Sequence, residues 1–271
     1  MCPNCRAFIT INDRVCPYCE AQVGPRAVDL RPNALAASFL PSANITAIIV
    51  LVVNLAFFLV QLGLSHTLSN PEAGVDALLG VAVSDYAFHG QWWRLITAGF
   101  LHGSWVHLLM NSWSLFILVT EVEQFYGTNR LLVAYVFSTF TGFLLACNRT
   151  PHTYILGASC AAFGLMGIML AMGIGKRADP LTQAVRQHYG QWLVFGLVLS
   201  LGGGISLWGH IGGLIGGFVV GLVAGRPGLP ASPKELFWKF AAIASVAFVF
   251  FCWYLDFAFI SQILRHSNGS M

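Results

Sequence analysis

Three short clusters in a strongly apolar chain carry side chains that can do chemistry. His107-Leu108-Leu109-Met110-Asn111 sets an imidazole and a carboxamide four positions apart, which puts both on one face of a helix. Gly157-Ala158-Ser159-Cys160-Ala161-Ala162-Phe163-Gly164 sets a serine among small residues. Gly209-His210-Ile211-Gly212-Gly213 sets a second histidine at the head of a glycine ridge formed by positions 209, 213, 217 and 221. Serine with histidine points to nucleophilic catalysis. A hydroxyl becomes a useful nucleophile when a neutral imidazole takes its proton, and the oxyanion that results needs donors aimed at it. Ser159, His210 and the pair His107/Asn111 supply nucleophile, base and donors. No acidic residue lies in the apolar segments around Ser159 and His210, so a dyad is the economical arrangement. Each residue also has a plainer reading: Ser159 as a helix cap, His107 with Asn111 as interhelical glue, and the glycine ridge as close helix packing. Cys160 is a competing nucleophile, although a buried cysteine usually behaves as a small hydrophobe.

A fourth cluster has a different chemistry. Cys2-Pro3-Asn4-Cys5 and Cys16-Pro17-Tyr18-Cys19 are two Cys-x-x-Cys knuckles separated by ten residues, the spacing of tetrahedral thiolate ligation to Zn²⁺. With four protein ligands such a site is closed, hence structural, and no catalytic cofactor is implied. A redox or disulfide pair and a rubredoxin-like iron site use the same residues.

The elements that must position these groups follow from composition. The chain has 271 residues, 56% hydrophobic and 9% charged, with a mean hydropathy of +0.70, against roughly 25% charge in soluble domains. A soluble enzyme, a disordered chain and a coiled coil are excluded. The net charge of +3 gives no sign of a nucleic-acid partner. The fold class is an all-α polytopic membrane protein. Apolar runs long enough to cross the bilayer, about twenty residues each, are expected near 45–64, 106–120, 131–147, 159–175, 192–205, 208–224 and 237–260. The segment 65–105, with Trp92, Trp93, Arg94, His89 and His102, is expected to lie in the bilayer interface. The domain reading is a four-cysteine, zinc-ribbon-like module over 1–23, a linker over 24–44, a six-helix membrane core over 45–224, a linker and seventh helix over 225–260, and a tail over 261–271. No cleavable signal peptide is expected, so the first apolar run serves as the insertion signal. Eleven basic residues fall on the N-terminal side of the membrane and three on the other. The positive-inside rule therefore places the N-terminus in the cytoplasm, the C-terminus outside, and the clusters around Ser159 and His210 toward the outer face.

Taken in order, Trp93-Arg94, His102, His107-x3-Asn111, Glu123, Gly157-x-Ser159 and Gly209-His210-x2-Gly213 resemble the motifs of rhomboid intramembrane serine proteases, over about residues 45–224. The resemblance implies a six-helix core in which Ser159 attacks the peptide carbonyl and His210 acts as base and then acid. It implies an oxyanion site of the Ser159 N–H, His107 and Asn111, with Trp93, Arg94, His102, Gly157, Phe163 and Gly213 in supporting or substrate-binding roles. Its substrates are transmembrane helices cut near the outer face, usually after a small residue. Two positions depart from the family pattern: Cys160 stands where glycine is usual, and Phe163 where tyrosine is common. A side chain at 160 is expected either to narrow the contact between the fourth and sixth helices or to perturb the oxyanion site, while Phe163 can still stack on His210. Glu123, toward the inner face, reads as a structural support. The seventh helix resembles the extra C-terminal helix of some members.

The expected function is an intramembrane serine endopeptidase in a bacterial plasma (inner) membrane, with transmembrane proteins as substrates, the lipid bilayer as surroundings and a protein partner for the zinc ribbon. The alternative is a catalytically silent relative that binds transmembrane clients. A transporter is a third reading, against which no repeat relates the two halves of the chain.

Overall fold

The computed structural model describes residues 4–5, 15–22, 45–172, 174, 180–202, 204–225 and 232–268. The chain divides into two compact units, Met1–Ser42 and Ala43–Met271. Cys2 and the linker 24–44 lie outside the described residues.

The second unit is built of helices. They are α1 (Ile45–Leu64), the short α2 (Ala73–Leu78), α3 (Ser84–Ala87) and α4 (Arg94–Thr97), then α5 (Trp105–Arg149), α6 (Ser159–Leu170), α7 (Pro180–Leu199), α8 (Leu207–Ala224) and α9 (Pro233–Asn268). Four of them are long and apolar enough to cross a membrane: α1, α5, α8 and, over Pro233–Ile263, α9. At 45 residues α5 is two crossings, because Gly127 (φ 75°, ψ 161°) takes a backbone conformation that breaks the ladder between them. Glu123 supports that corner, accepting from Thr46 Oγ1 at 2.7 Å and from Thr128 Oγ1 at 2.6 Å. The chain is thus an all-α, multi-pass membrane protein.

Helix α6 is the inner element. It has 12 residues and nearly all of them are buried, which requires neighbours to wrap it on every side. Small residues permit this. A methyl on Gly213 or Gly217 of α8 would run into the backbone carbonyls of Cys160 and Gly164, so two backbones meet with nothing between them, the packing expected where no hydrophobic drive separates helix from lipid. On another face of α8, Gly212 lies against the second limb of α5, where Thr141 Oγ1 donates to the Gly212 carbonyl at 2.9 Å. The element after α6 departs from expectation. Its helix runs Pro180–Leu199 rather than 192–205. Its first half carries Gln183, Arg186, Gln187 and His188, which hide it from a hydropathy reading, and a 3₁₀ turn (Ser200–Gly202) ends it ahead of Gly204 (φ 74°).

Segment 65–104 is folded on itself. Arg94 is 2% exposed and acts as its internal pin, donating to Gln91 Oε1 (2.6 Å) and to the carbonyls of Ala77 (2.8 Å) and Val81 (3.2 Å). Gln61 of α1 holds the other end, bonding the His102 backbone in both directions and Asp76 Oδ1 at 2.6 Å. Burial pushes the Asp76 carboxyl up from its ordinary range, with the Gln61 bond opposing. Helix α9 closes this side: Trp253 stacks on Phe57, centroids 4.2 Å apart, and the fully buried Asp256 accepts from Trp93 Nε1 at 3.0 Å. At its other end Glu235 forms a buried, two-pronged ion pair with Arg130 of α5 (2.6 and 2.8 Å), while Arg130 Nε donates to the last carbonyl of α8, Ala224.

Candidate active site

The two histidines enter through helix starts that serines fix. Ser104 caps α5, accepting from the His107 N–H, and Ser206 caps α8, accepting from the Gly209 N–H. His107 and His210 therefore sit in capped first turns, where fraying is suppressed. Ser159 opens α6. A helix of 12 residues is about 18 Å long, shorter than the ~30 Å hydrocarbon layer, so one of its ends lies inside the bilayer depth.

The half-buried Ser159 Oγ lies 2.9 Å from His210 Nε2. The imidazole stacks on Phe163, centroids 3.9 Å apart and planes 11° apart. Its other nitrogen, Nδ1, is 2.6 Å from Ser200 Oγ. Ser200 was not among the sequence-derived candidates. It sits in the 3₁₀ turn after α7, ten residues before His210 and two before the glycine run 202–204, and a search for a third member among acids passes over it.

His107 and Asn111 face the same place. Gly157 takes φ +121°, and a methyl there would stand 2.6 Å from the His107 ring and 3.4 Å from Asn111 Nδ2. Two donors are thereby brought against the residues that lead into Ser159. The Gly103 N–H donates to His107 Nδ1 at 3.4 Å, which leaves the ring proton on Nε2. Asn111 Nδ2 is buried with no hydrogen-bond partner among the described residues. Both are donors in waiting.

Cys160 is accommodated elsewhere. Its fully buried side chain fills a slot between Gly142 of α5 and Gly209 of α8, within 2.8 Å and 3.1 Å of where their methyls would be. Glycines on the facing helices make the room that glycine at 160 would otherwise supply. His102 packs edge-on to His107, centroids 5.2 Å apart, and its burial, with His107 beside it, pushes its pKa down to about 3. Trp93 and Arg94 do not reach Ser159; they hold the first loop through Asp256 and the loop's own carbonyls. Gly213 acts through the α6–α8 contact.

The first unit gathers three thiols. Cys5, Cys16 and Cys19 have sulfurs within 4.8 Å of one another, with Cys5 and Cys16 3.7 Å apart; tetrahedral Zn–S bonds of about 2.3 Å put sulfurs ~3.8 Å apart. The antiparallel bridge Val15–Gln22 closes the knuckle, and Glu20 turns it at φ 56°. The Ala21 N–H and then the Cys5 thiol, both donating to the Cys19 sulfur, hold its pKa down to about 6. The cluster can hold a metal ion; Cys2 lies outside the described residues.

The family model of the rhomboid domain matches residues 89–227, more than half of the chain. Relatives include the rhomboid protease GluP of Bacillus subtilis, 32% identical over 203 residues covering 73% of this chain and 38% of GluP. The rhomboid-type protein YdcA of Bacillus subtilis is 35% identical over 144 residues, 52% of this chain and 69% of YdcA. Rhomboid-like protease 3 of Toxoplasma gondii is 31% identical over 151 residues, 54% of this chain and 57% of that protein. The chain belongs to the rhomboid family. It spans well under half the length of GluP.

Proposed function

We propose that the protein is an intramembrane serine endopeptidase, carried above all by the 2.9 Å contact between Ser159 Oγ and His210 Nε2 inside a glycine-packed bundle. Nε2 takes the Ser159 proton as Oγ attacks the scissile carbonyl carbon. The oxyanion is received by Asn111 Nδ2, His107 Nε2–H and the Ser159 N–H. The C–N bond then breaks as the Nε2 proton passes to the leaving amine, and a water deprotonated by His210 releases the acyl group from Ser159. Trp93, Arg94 and His102 shape the first loop, and Gly157, Phe163 and Gly213 hold donor, base and helix contact in register.

The substrates are transmembrane helices, which must unwind before attack because a helical peptide bond is shielded by its own hydrogen bonds. Charge asymmetry supports an inner-membrane orientation with the N-terminus in the cytoplasm and cleavage toward the outer face. Cys2, Cys5, Cys16 and Cys19 hold a structural Zn²⁺ there, on a module that offers a surface to a cytoplasmic protein partner.

The test is cleavage of a single-span protein co-reconstituted in proteoliposomes. Wild type is expected to cut it within or beside the membrane segment, and Ser159→Ala and His210→Ala to leave it whole. Unchanged cleavage in Ser159→Ala, or binding without cleavage by folded wild type, overturns the reading; the latter outcome favours a client-binding protein.

A further inference from the structure

The hydrogen-bond partners of Ser200 leave its proton only one place to go. Its Oγ lies 2.7 Å from the Gly196 carbonyl oxygen and 2.6 Å from His210 Nδ1. A carbonyl oxygen only accepts, so the single hydroxyl proton of Ser200 must point to Gly196. Turning it toward Nδ1 would leave two oxygens facing each other at 2.7 Å in a site where Ser200 is 4% exposed. Oγ therefore presents a lone pair to His210, and Nδ1 carries the ring proton. Nε2 is then the unprotonated nitrogen, and it is the one 2.9 Å from Ser159.

We infer that Ser200 is a positioning residue for His210, fixing its tautomer and ring orientation through a one-directional chain from Ser159 O–H to Nε2, from Nδ1–H to Ser200 Oγ, and from Ser200 O–H to the Gly196 carbonyl. The inference rests on the proposed roles of Ser159 and His210. Phe163 cannot substitute: the ring stacked at 3.9 Å sets the imidazole plane but has no polar atom with which to choose a nitrogen. The protein thus replaces the acid of a triad by a neutral hydroxyl. The replacement works in both halves of the reaction, because Nδ1 is a donor in imidazole and imidazolium alike, so the base returns its proton as an acid with no partner rearranged. It also makes the base depend on the end of α7. Gly196 belongs to α7 and Ser200 to the 3₁₀ turn that directly follows it, while His210 belongs to α8, so only a seated α7 presents the acceptor.

The experiment is inactivation of detergent-purified protein by a fluorophosphonate, which needs an activated serine and no unwound helix, with kinact and KI resolved. In Ser200→Ala the tautomer is released and a buried N–H loses its acceptor; kinact is expected to fall about tenfold to a hundredfold with KI unchanged. Ser200→Thr, which keeps the oxygen, is expected to stay within about threefold of wild type. Thermal melting checks that each variant is folded. Should Ser200→Ala not fold, the isosteric pair Ser200→Thr and Ser200→Val carries the same comparison, with the valine variant slow. Ser200→Ala or Ser200→Val reacting at the wild-type rate overturns the inference and leaves the protease reading intact. A folded wild type that does not react, or reacts equally as Ser159→Ala, overturns the protease reading itself and the role of Ser200 with it.

Discussion

Gly157→Ala isolates the oxyanion donors from the nucleophile and base. Two costs follow from the geometry. At φ +121° an L-residue is strained, by about 1–3 kcal/mol. The added methyl would also stand 2.6 Å from the His107 ring while making only ordinary contact, 3.4 Å, with Asn111. The clash is therefore selective: His107 must move and Asn111 need not. Displacing one of two side-chain donors lowers kcat by about a hundredfold to a thousandfold, while the strain lowers the melting temperature by about 2–12 °C, given about 2–4 °C per kcal/mol for a chain of this size. Turnover of a transmembrane substrate in wild type, Gly157→Ala, His107→Ala and the double variant separates the two costs. Once His107 is alanine the methyl has nothing to strike, so the double variant is expected to turn over like His107→Ala rather than at the product of the two losses. Gly157→Ala at wild-type rate, or losses that multiply, would refute the placement of His107 as a donor held by Gly157.

Three further outcomes follow from the packing. Gly217→Ala sets a methyl into the Gly164 backbone and must part α6 from α8; about 1–3 kcal/mol of stability is expected to go, and turnover with it, measured by melting and by cleavage. Arg130→Met takes the two-pronged guanidinium partner from the buried Glu235 and is expected to lose about 3–5 kcal/mol, whereas Arg130→Met with Glu235→Leu, which removes both charges of the pair, recovers most of it in the same denaturation assay. His102, held neutral to about pH 3 in the fold against 6.5 when free, takes up a proton on unfolding in that window. Stability is thus full above pH 6.5 and falls as pH drops, by about 2 kcal/mol from pH 7 to 5. His102→Phe is expected to flatten that slope in pH-dependent melts.

The spacing of His107 to Asn111 and the serine and histidine at helix starts are legible in the chain because helical periodicity and caps are local. The crossings rich in leucine and valine are legible for the same reason. What is not legible depends on partners distant in the chain. Arg94 reads as an interface anchor from its type and neighbours, yet it is buried, since the carbonyls of Ala77 and Val81 converge on it only after segment 65–104 folds. Cys160 reads as an obstruction until Gly142, a helix away, is seen to make its slot. Ser200 escapes because a serine just ahead of a glycine run looks like a turn residue and because a triad's third member is sought among acids. The early start of α7 escapes because its polar first half carries no hydrophobic signal.

The central claim is that Ser159 is a nucleophile made reactive by His210 at 2.9 Å. Peptide mapping by mass spectrometry after a fluorophosphonate reaction measures it directly. The adduct is expected on Ser159 in wild type and is expected to be lost in His210→Ala under the same conditions. An adduct on Cys160, or one on Ser159 that forms as fast without His210, would contradict it.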